Sequence, residues 1–312
     1  MIDIPVLVIG YNRPFLLQRL FSHLSDIGVS SVYLALDGPK NEEDKLLCNQ
    51  SYDSINIYKN KFKVKILHRE HNLGCCLGVI SALDWFFSEE DFGAIIEDDC
   101  FPDLDFFIFL DLARKNQFNS PTSQASLFTA HNPFNYSFSG QLSNSALIHG
   151  WATSSDVWKK IRKDYFKIKL PSIVNKSGEK RNLQQALYWW SNSTRAKLGL
   201  VDTWDGILND QVWRLGFKTL IPQSNLVKNL GFGPSATHTK DENQSNQIPL
   251  SNQILKNSDL NDLLNKFYFR IKRRHIATAL IRISIDLIRV RRPKKFEKLL
   301  YQDLLVRNID LL

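Results

Sequence analysis

The chain has 312 residues, of which 43% are hydrophobic and 23% charged; this is close to globular averages and excludes wholesale disorder, collagen-like repeats and coiled coil. One hydrophobic core usually stops growing at roughly 250–300 residues, so one large domain with an appendage is expected. The net charge of +8 is concentrated, since Lys266 to Lys295 holds eleven basic residues against one acid, Asp286, which leaves the remainder at −2.

Ile4-Pro5-Val6-Leu7-Val8-Ile9 opens the chain. It is too short for a signal peptide and reads as a buried strand over 5–9. Asn12-Arg13-Pro14 then starts a helix with proline at an early position, and Leu16, Leu17, Leu20, Phe21, Leu24 and Ile27 form its apolar stripe. A second strand is expected over 32–36, closed by Asp37-Gly38-Pro39, followed by a polar helix over 41–58 and a third strand over 62–67. A helix over 72–87 and a fourth strand over 92–96 complete this half, and the strand ends in Glu97-Asp98-Asp99.

Strand and helix alternate with apolar strands, the pattern of an α/β fold whose mostly parallel sheet carries helices on both faces. Ligands gather at the carboxyl ends of such strands. Gly10-Tyr11-Asn12-Arg13, Asp37-Gly38, His68 to Asn72 and Glu97-Asp98-Asp99 are therefore expected to face one crevice.

Further along, 126–130 and 145–148 read as strands, 154–161, 183–199 and 205–215 as helices, and Ile221 and Leu226-Val227 as short final strands. Residues 240–253 are polar and turn-rich, a linker by composition. Over 275–290, Ile276, Leu280, Ile283, Leu287 and Val290 fall on one helical stripe flanked by basic clusters. This pattern reads either as a helix for an anionic membrane surface or as one packed on the domain or a partner, not as a nucleic-acid binder. No apolar run approaches the ~20 residues of a membrane span, so a cytoplasmic protein, peripheral on the membrane in the first case, is expected. Cys48, Cys75, Cys76 and Cys100 form no CxxC pair and are expected to be free thiols.

Three adjacent acids at the end of a buried strand repel one another unless a cation compensates them. Hard divalent ions such as Mn²⁺ or Mg²⁺ take carboxylate and phosphate oxygens and commonly use only one or two protein carboxylates. The sequence has neither a GxxxxGK[ST] nor a GxGxxG cradle, which argues against P-loop and Rossmann enzymes. Arg13, at a helix start, is a candidate for nucleotide or phosphate contact.

His71-Asn72-Leu73-Gly74, Gly93-Ala94-Ile95-Ile96-Glu97-Asp98-Asp99, Pro102-Asp103, Val8-Ile9-Gly10-Tyr11-Asn12-Arg13-Pro14, Leu36-Asp37-Gly38-Pro39 and Gly150-Trp151 together resemble the GT-A glycosyltransferases. The similarity is greatest to the branch that holds N-acetylglucosaminyltransferase I and its bacterial relatives, and it runs over roughly residues 4 to 240. The resemblance implies a GT-A fold with a donor half over 1–125, an acceptor half over 126–240 and a helical appendage over 241–312. It implies that Asp99 ligates Mn²⁺ or Mg²⁺, with His238 as a further ligand, and that Gly10, Asn12, Arg13, Asp37, His71, Asn72, Glu97 and Asp98 hold a nucleotide-sugar donor, UDP-linked. It also implies Gly150, Trp151 and Trp204 against the sugar or acceptor, and Asp205 as the base, with Asp202 and Asp210 as competitors. His149 lies near these segments. The expected reaction is inverting sugar transfer to a hydroxyl of a glycan or lipid-linked acceptor in bacterial surface polysaccharide synthesis. Another nucleotide-dependent transferase, such as a nucleotidyltransferase, and a non-catalytic binding protein are the alternatives.

Overall fold

The computed structural model describes residues 2–116, 125–132 and 141–231. His238, the polar stretch 240–253 and the basic stripe 275–290 lie outside them. Strand β1 (Val6–Gly10) shows how the sequence builds the layers. Val6 and Val8 point to one face and pack with Leu17, Leu20, Phe21 and Leu24 of α1 (Pro14–Asp26). Leu7 points to the other face and packs with Ile80, Leu83 and Phe86 of α3 (Gly74–Glu89). The two-residue period of the strand thus feeds two cores, one on each side of the sheet.

The remaining strands of the first half are β2 (Ser31–Leu36), β3 (Lys63–His68) and β4 (Phe92–Glu97), with α2 (Glu42–Asp53) between β2 and β3. The polar stretch expected as one helix over 41–58 divides into α2 and a short 3₁₀ turn at 56–58. The helix starts where Asn41 accepts a hydrogen bond from the Asp44 amide, with three acids in its first turn. Then follow β5 (Cys100–Pro102), α4 (Leu104–Asn116), β6 (Ala125–Thr129), β7 (Gln141–Ser143), β8 (Trp151–Ser154), α5 (Ser155–Arg162), α6 (Leu183–Lys197), α7 (Asp205–Leu215), β9 (Lys218–Ile221) and β10 (Val227–Asn229).

Among the described residues, eight strands form one sheet in the order β3-β2-β1-β4-β8-β6-β9-β7, and β5 pairs with β10. The pairs within β3-β2-β1-β4 are parallel, as is β6 with β9, whereas β8 runs antiparallel to β4 and β6. This mixed, mostly parallel sheet with helices on both faces is the α/β architecture expected from the alternation of strands and helices. The strand expected over 145–148 does not form. There the Ala146 amide donates to the Asn209 side chain of α7, so a helix side chain replaces a ladder partner. Strands form on either side instead, at β7 and β8.

Gly10 pairs with Leu36, Leu36 with His68 and Ile9 with Glu97, so the four parallel strands end along one edge of the sheet. No helix among the described residues is long and apolar enough to cross a membrane. The four cysteines are free thiols.

Candidate active site

At that edge lies a cavity of about 830 Å³. It is lined by Gly10, Tyr11, Asn12 and Arg13 after β1, Asp37 and Lys40 after β2, and Arg69 and Asn72 after β3. Glu97, Asp98, Asp99 and Cys100 line it after β4, and Ile148, His149, Asp202, Asn229 and Gly231 come from the second half. Each of the four strand-end clusters expected to meet does contribute to the wall.

The acids are arranged around Arg13. Its guanidinium grips Asp98 with two nitrogens, Nε at 3.1 Å from Oδ2 and Nη2 on Oδ1, and its Nη1 donates to Asp99 at 3.1 Å. Asp98 is only 1% exposed, so this bidentate pair is what makes its charge tolerable. One guanidinium cannot neutralise three carboxylates. Burial, reinforced by Asp99 and Asp98, pushes the Glu97 carboxyl up to about 8. Burial also pushes Asp98 up, to about 7, against the pull of Arg13. The cavity floor therefore has a net demand for positive charge.

The N-terminus of α3 supplies a further part of the lining, through Gly74 and Cys75. Its first amides find no cap in their own helix and are satisfied by two distant acids. Asp37 accepts from the Leu73 and Gly74 amides at 2.9 and 3.0 Å, and Asn72 Nδ2 donates to it at 2.9 Å. Asp202 accepts from the Cys75 and Cys76 amides at 2.9 and 2.8 Å. Gly74 makes this approach possible. It adopts φ +83°, and a Cβ there would lie 2.6 Å from Asp202 Oδ2. Asp37, expected at the ribose or base, thus has both oxygens engaged in tying the end of β2 to α3.

Cys75 reaches the cavity and is exposed there, and desolvation together with the carboxylates of Glu97 and Asp202 pushes its thiol up. His149 is pushed down by burial while Asp99 and Asp205 pull the other way. Its neighbour His131, with ring centroids 5.1 Å apart, is pushed down by burial to about 4.

Gly10, Asn12, Arg13, Asp37, Asn72, Glu97, Asp98 and Asp99 all line the cavity. His71 does not. Its side chain is exposed, and its backbone packs so tightly on Gly38 that a Cβ there would lie 2.5 Å from it. Trp151 and Trp204, expected against sugar or acceptor, are 2% and 3% exposed and stack on each other at 6.0 Å in the core between the sheet and α7. They offer no ring face to a ligand; sugar-binding and core tryptophans look alike in sequence. Gly150 is at a turn with φ +70°, and its carbonyl accepts from the Ala130 amide at 2.7 Å.

Asp205 opens α7 and accepts a hydrogen bond from Thr203 Oγ1. It does not line the cavity, yet its charge acts on Glu97, His149 and Cys75. Asp210 is excluded as a base, because it is 1% exposed and surrounded by Arg214, Arg181 and Lys197. Arg69 belongs to the expected 68–72 cluster, whereas Lys40, Asn229 and Gly231 were not singled out from the sequence. These three arrive at the wall through loop geometry and the β5–β10 pairing, which no local pattern encodes.

Among the described residues, no group of three His, Cys, Asp or Glu side chains is arranged to hold a metal. The donor set nevertheless suits a hard divalent ion. It offers carboxylate oxygens and an excess of negative charge, and a Mg²⁺- or Mn²⁺-type site leaves its other positions to phosphate and water.

No protein-family model matches the chain, and no curated protein matches it. Solved structures similar to it include HddC from Yersinia pseudotuberculosis, with 17% identity and a TM-score of 0.32 over 49% of this chain and 77% of that one. A candidate glucose-1-phosphate thymidylyltransferase from Bacillus anthracis, in complex with a sucrose, shares 8% identity at TM-score 0.31 over 60% of this chain and 82% of that one. The apo bifunctional glycosyltransferase WbbM shares 10% identity at TM-score 0.31 over 77% of this chain and 41% of that one. What this chain can do follows from its own side chains.

Proposed function

We propose that the chain is a metal-dependent GT-A glycosyltransferase of the N-acetylglucosaminyltransferase I-like type. It moves a sugar from a nucleotide diphosphate donor, UDP-linked by resemblance, to a hydroxyl of a glycan or lipid-linked glycoconjugate in bacterial surface polysaccharide synthesis. The observation that carries this reading is the acidic end of β4 meeting Arg13 on the wall of a cavity large enough for a nucleotide-sugar.

In this reading Asp99 would hold Mn²⁺ or Mg²⁺, and a bound ion would supply positive charge for the departing diphosphate. Arg13 braces Asp98 and Asp99 so that the acidic turn keeps its shape. Asn12 and Asn72 line the donor cavity and shape it, their Nδ2 groups held by Asp44 and by Asp37 and the Gly38 carbonyl. Asp205 takes the proton of the acceptor hydroxyl as the new bond forms. Asp202 is the poorer base, because both of its oxygens already accept helix amides. A single base opposite the leaving group gives inversion at the sugar carbon, and no second carboxylate is needed as a nucleophile.

A thermal-shift panel of nucleotide-sugars with and without Mn²⁺ tests donor class and metal together. One nucleotide should raise apparent stability by about 2–3 kcal/mol at a hundredfold excess over its Kd, only when metal is present. Asp205→Asn should lower turnover by roughly 10²–10⁴-fold while donor binding stays within a few-fold. Metal-independent donor binding, or full turnover by Asp205→Asn, would refute the respective assignment, as would retention in the new linkage seen by NMR for the single-base mechanism.

A further inference from the structure

Between Lys159 and Arg181 the chain carries nine basic residues and two acids. The same segment exposes Ile168, Leu170, Ile173 and Val174, with Leu170 82% accessible. The loop is not free to fold these side chains inward. Its backbone carbonyls are held by donors from inside the domain: Lys197 Nζ to Lys167 O at 3.1 Å, Trp190 Nε1 to Lys169 O at 2.7 Å, and Arg214 Nη2 to Leu170 O at 2.6 Å. Arg181 Nε and Trp213 Nε1 both donate to Ser172 O, at 2.7 and 3.1 Å. The cations around buried Asp210 thus pin this loop by its carbonyls, and its aliphatic side chains are left in water.

From this we infer that the loop over 167–174 is a membrane-docking element. It would insert its aliphatic side chains among the lipids of an anionic bilayer, while Lys159, Lys160, Lys163, Lys176 and Lys180, all exposed, meet the headgroups. Both acids of the segment are already paired, Asp164 with Lys167 and Lys169, and Glu179 with Lys218. A second copy of the chain is disfavoured because it would bring the same positive charge against itself. Nucleic acid is disfavoured because the exposed side chains are aliphatic and give bases nothing to stack on. The loop lies at the C-terminal end of α7, which carries Arg214, roughly 15 Å along that helix from Asp205.

Co-sedimentation of the full chain with vesicles of phosphatidylcholine, with and without phosphatidylglycerol, tests the inference without donor or acceptor, so it stands or falls independently of the transferase reading. The wild type should bind the phosphatidylglycerol vesicles, and Ile168→Ser with Leu170→Ser should weaken that partitioning about tenfold or more at an unchanged melting temperature. Lys176→Glu with Lys180→Glu should remove the preference for phosphatidylglycerol. Neutralising Lys272, Arg273 and Arg274 to serine separates any contribution of the C-terminal tail, and the loop effect should persist in that background. The inference is overturned if the wild type ignores phosphatidylglycerol, or if both loop variants partition like the wild type in the tail-neutralised background. It is also overturned if the serine variant changes oligomeric state rather than vesicle binding.

Discussion

Arg13 is the residue on which the acidic turn depends. Its fork contacts Asp98 twice and Asp99 once, and Asp98 has almost no access to water. Arg13→Met would leave a buried carboxylate without its partner, and such losses cost about 3–5 kcal/mol. Most of that cost is the orphaned charge rather than the lost bond. Arg13→Met combined with Asp98→Asn should therefore regain much of the stability, a coupling read from urea unfolding of the two single variants and the double variant. Additive losses would mean that the pair is not coupled. Arg13→Lys should fall between, since an ammonium keeps the charge but cannot fork onto both oxygens.

At the level of elements, α3 shows where sequence reading stops. Its apolar face and its length were legible: Leu77, Ile80 and Leu83 are buried as their spacing implies. Its start was not, because the cap comes from elsewhere. Asp37 lies 36 residues before the amide of Leu73, and Asp202 lies 127 residues beyond that of Cys75. The expected strand over 145–148 failed for the same reason, through an amide taken by Asn209 of α7. By contrast, α2 and α6 carry their own caps, Asn41 and Asn182, and their starts were close to the expected ones. Removing a cap of this kind costs about 0.5–2 kcal/mol. Asp202→Ala should destabilise by that amount, and hydrogen exchange should speed up at the Cys75 and Cys76 amides while the middle of α3 stays protected. Unchanged exchange at those two amides would show that Asp202 does not cap the helix.

For the whole molecule, the parallel half was readable because each strand–helix unit carries its own periodic signal, whereas the second half depends on contacts between its loops. His131 and His149 mark that junction. Ala130 bonds to Gly150 and Leu226, and the His131 ring lies 3.3 Å from Asn225 Oδ1. Both histidines are part-buried and both are pushed below their ordinary value by desolvation, His131 to about 4. In the unfolded chain each would take up a proton near pH 6.5. As pH falls from about 6.5 toward 4 the unfolded state therefore binds more protons, and the pair removes stability over that window. Glu97 and Asp98 act in the opposite sense, because burial raises them to about 8 and about 7 and acidification favours their folded, neutral forms. The two contributions overlap below pH 6.5, so the wild-type curve alone does not separate them. His131→Gln does, since it removes one histidine and leaves the acids in place. Relative to the wild type, the variant should gain up to about 3 kcal/mol between pH 7.5 and pH 4.5 in metal-free buffer, measured by urea unfolding at each pH. Parallel curves for the two proteins across that range would mean that the histidine pair is not a source of acid sensitivity.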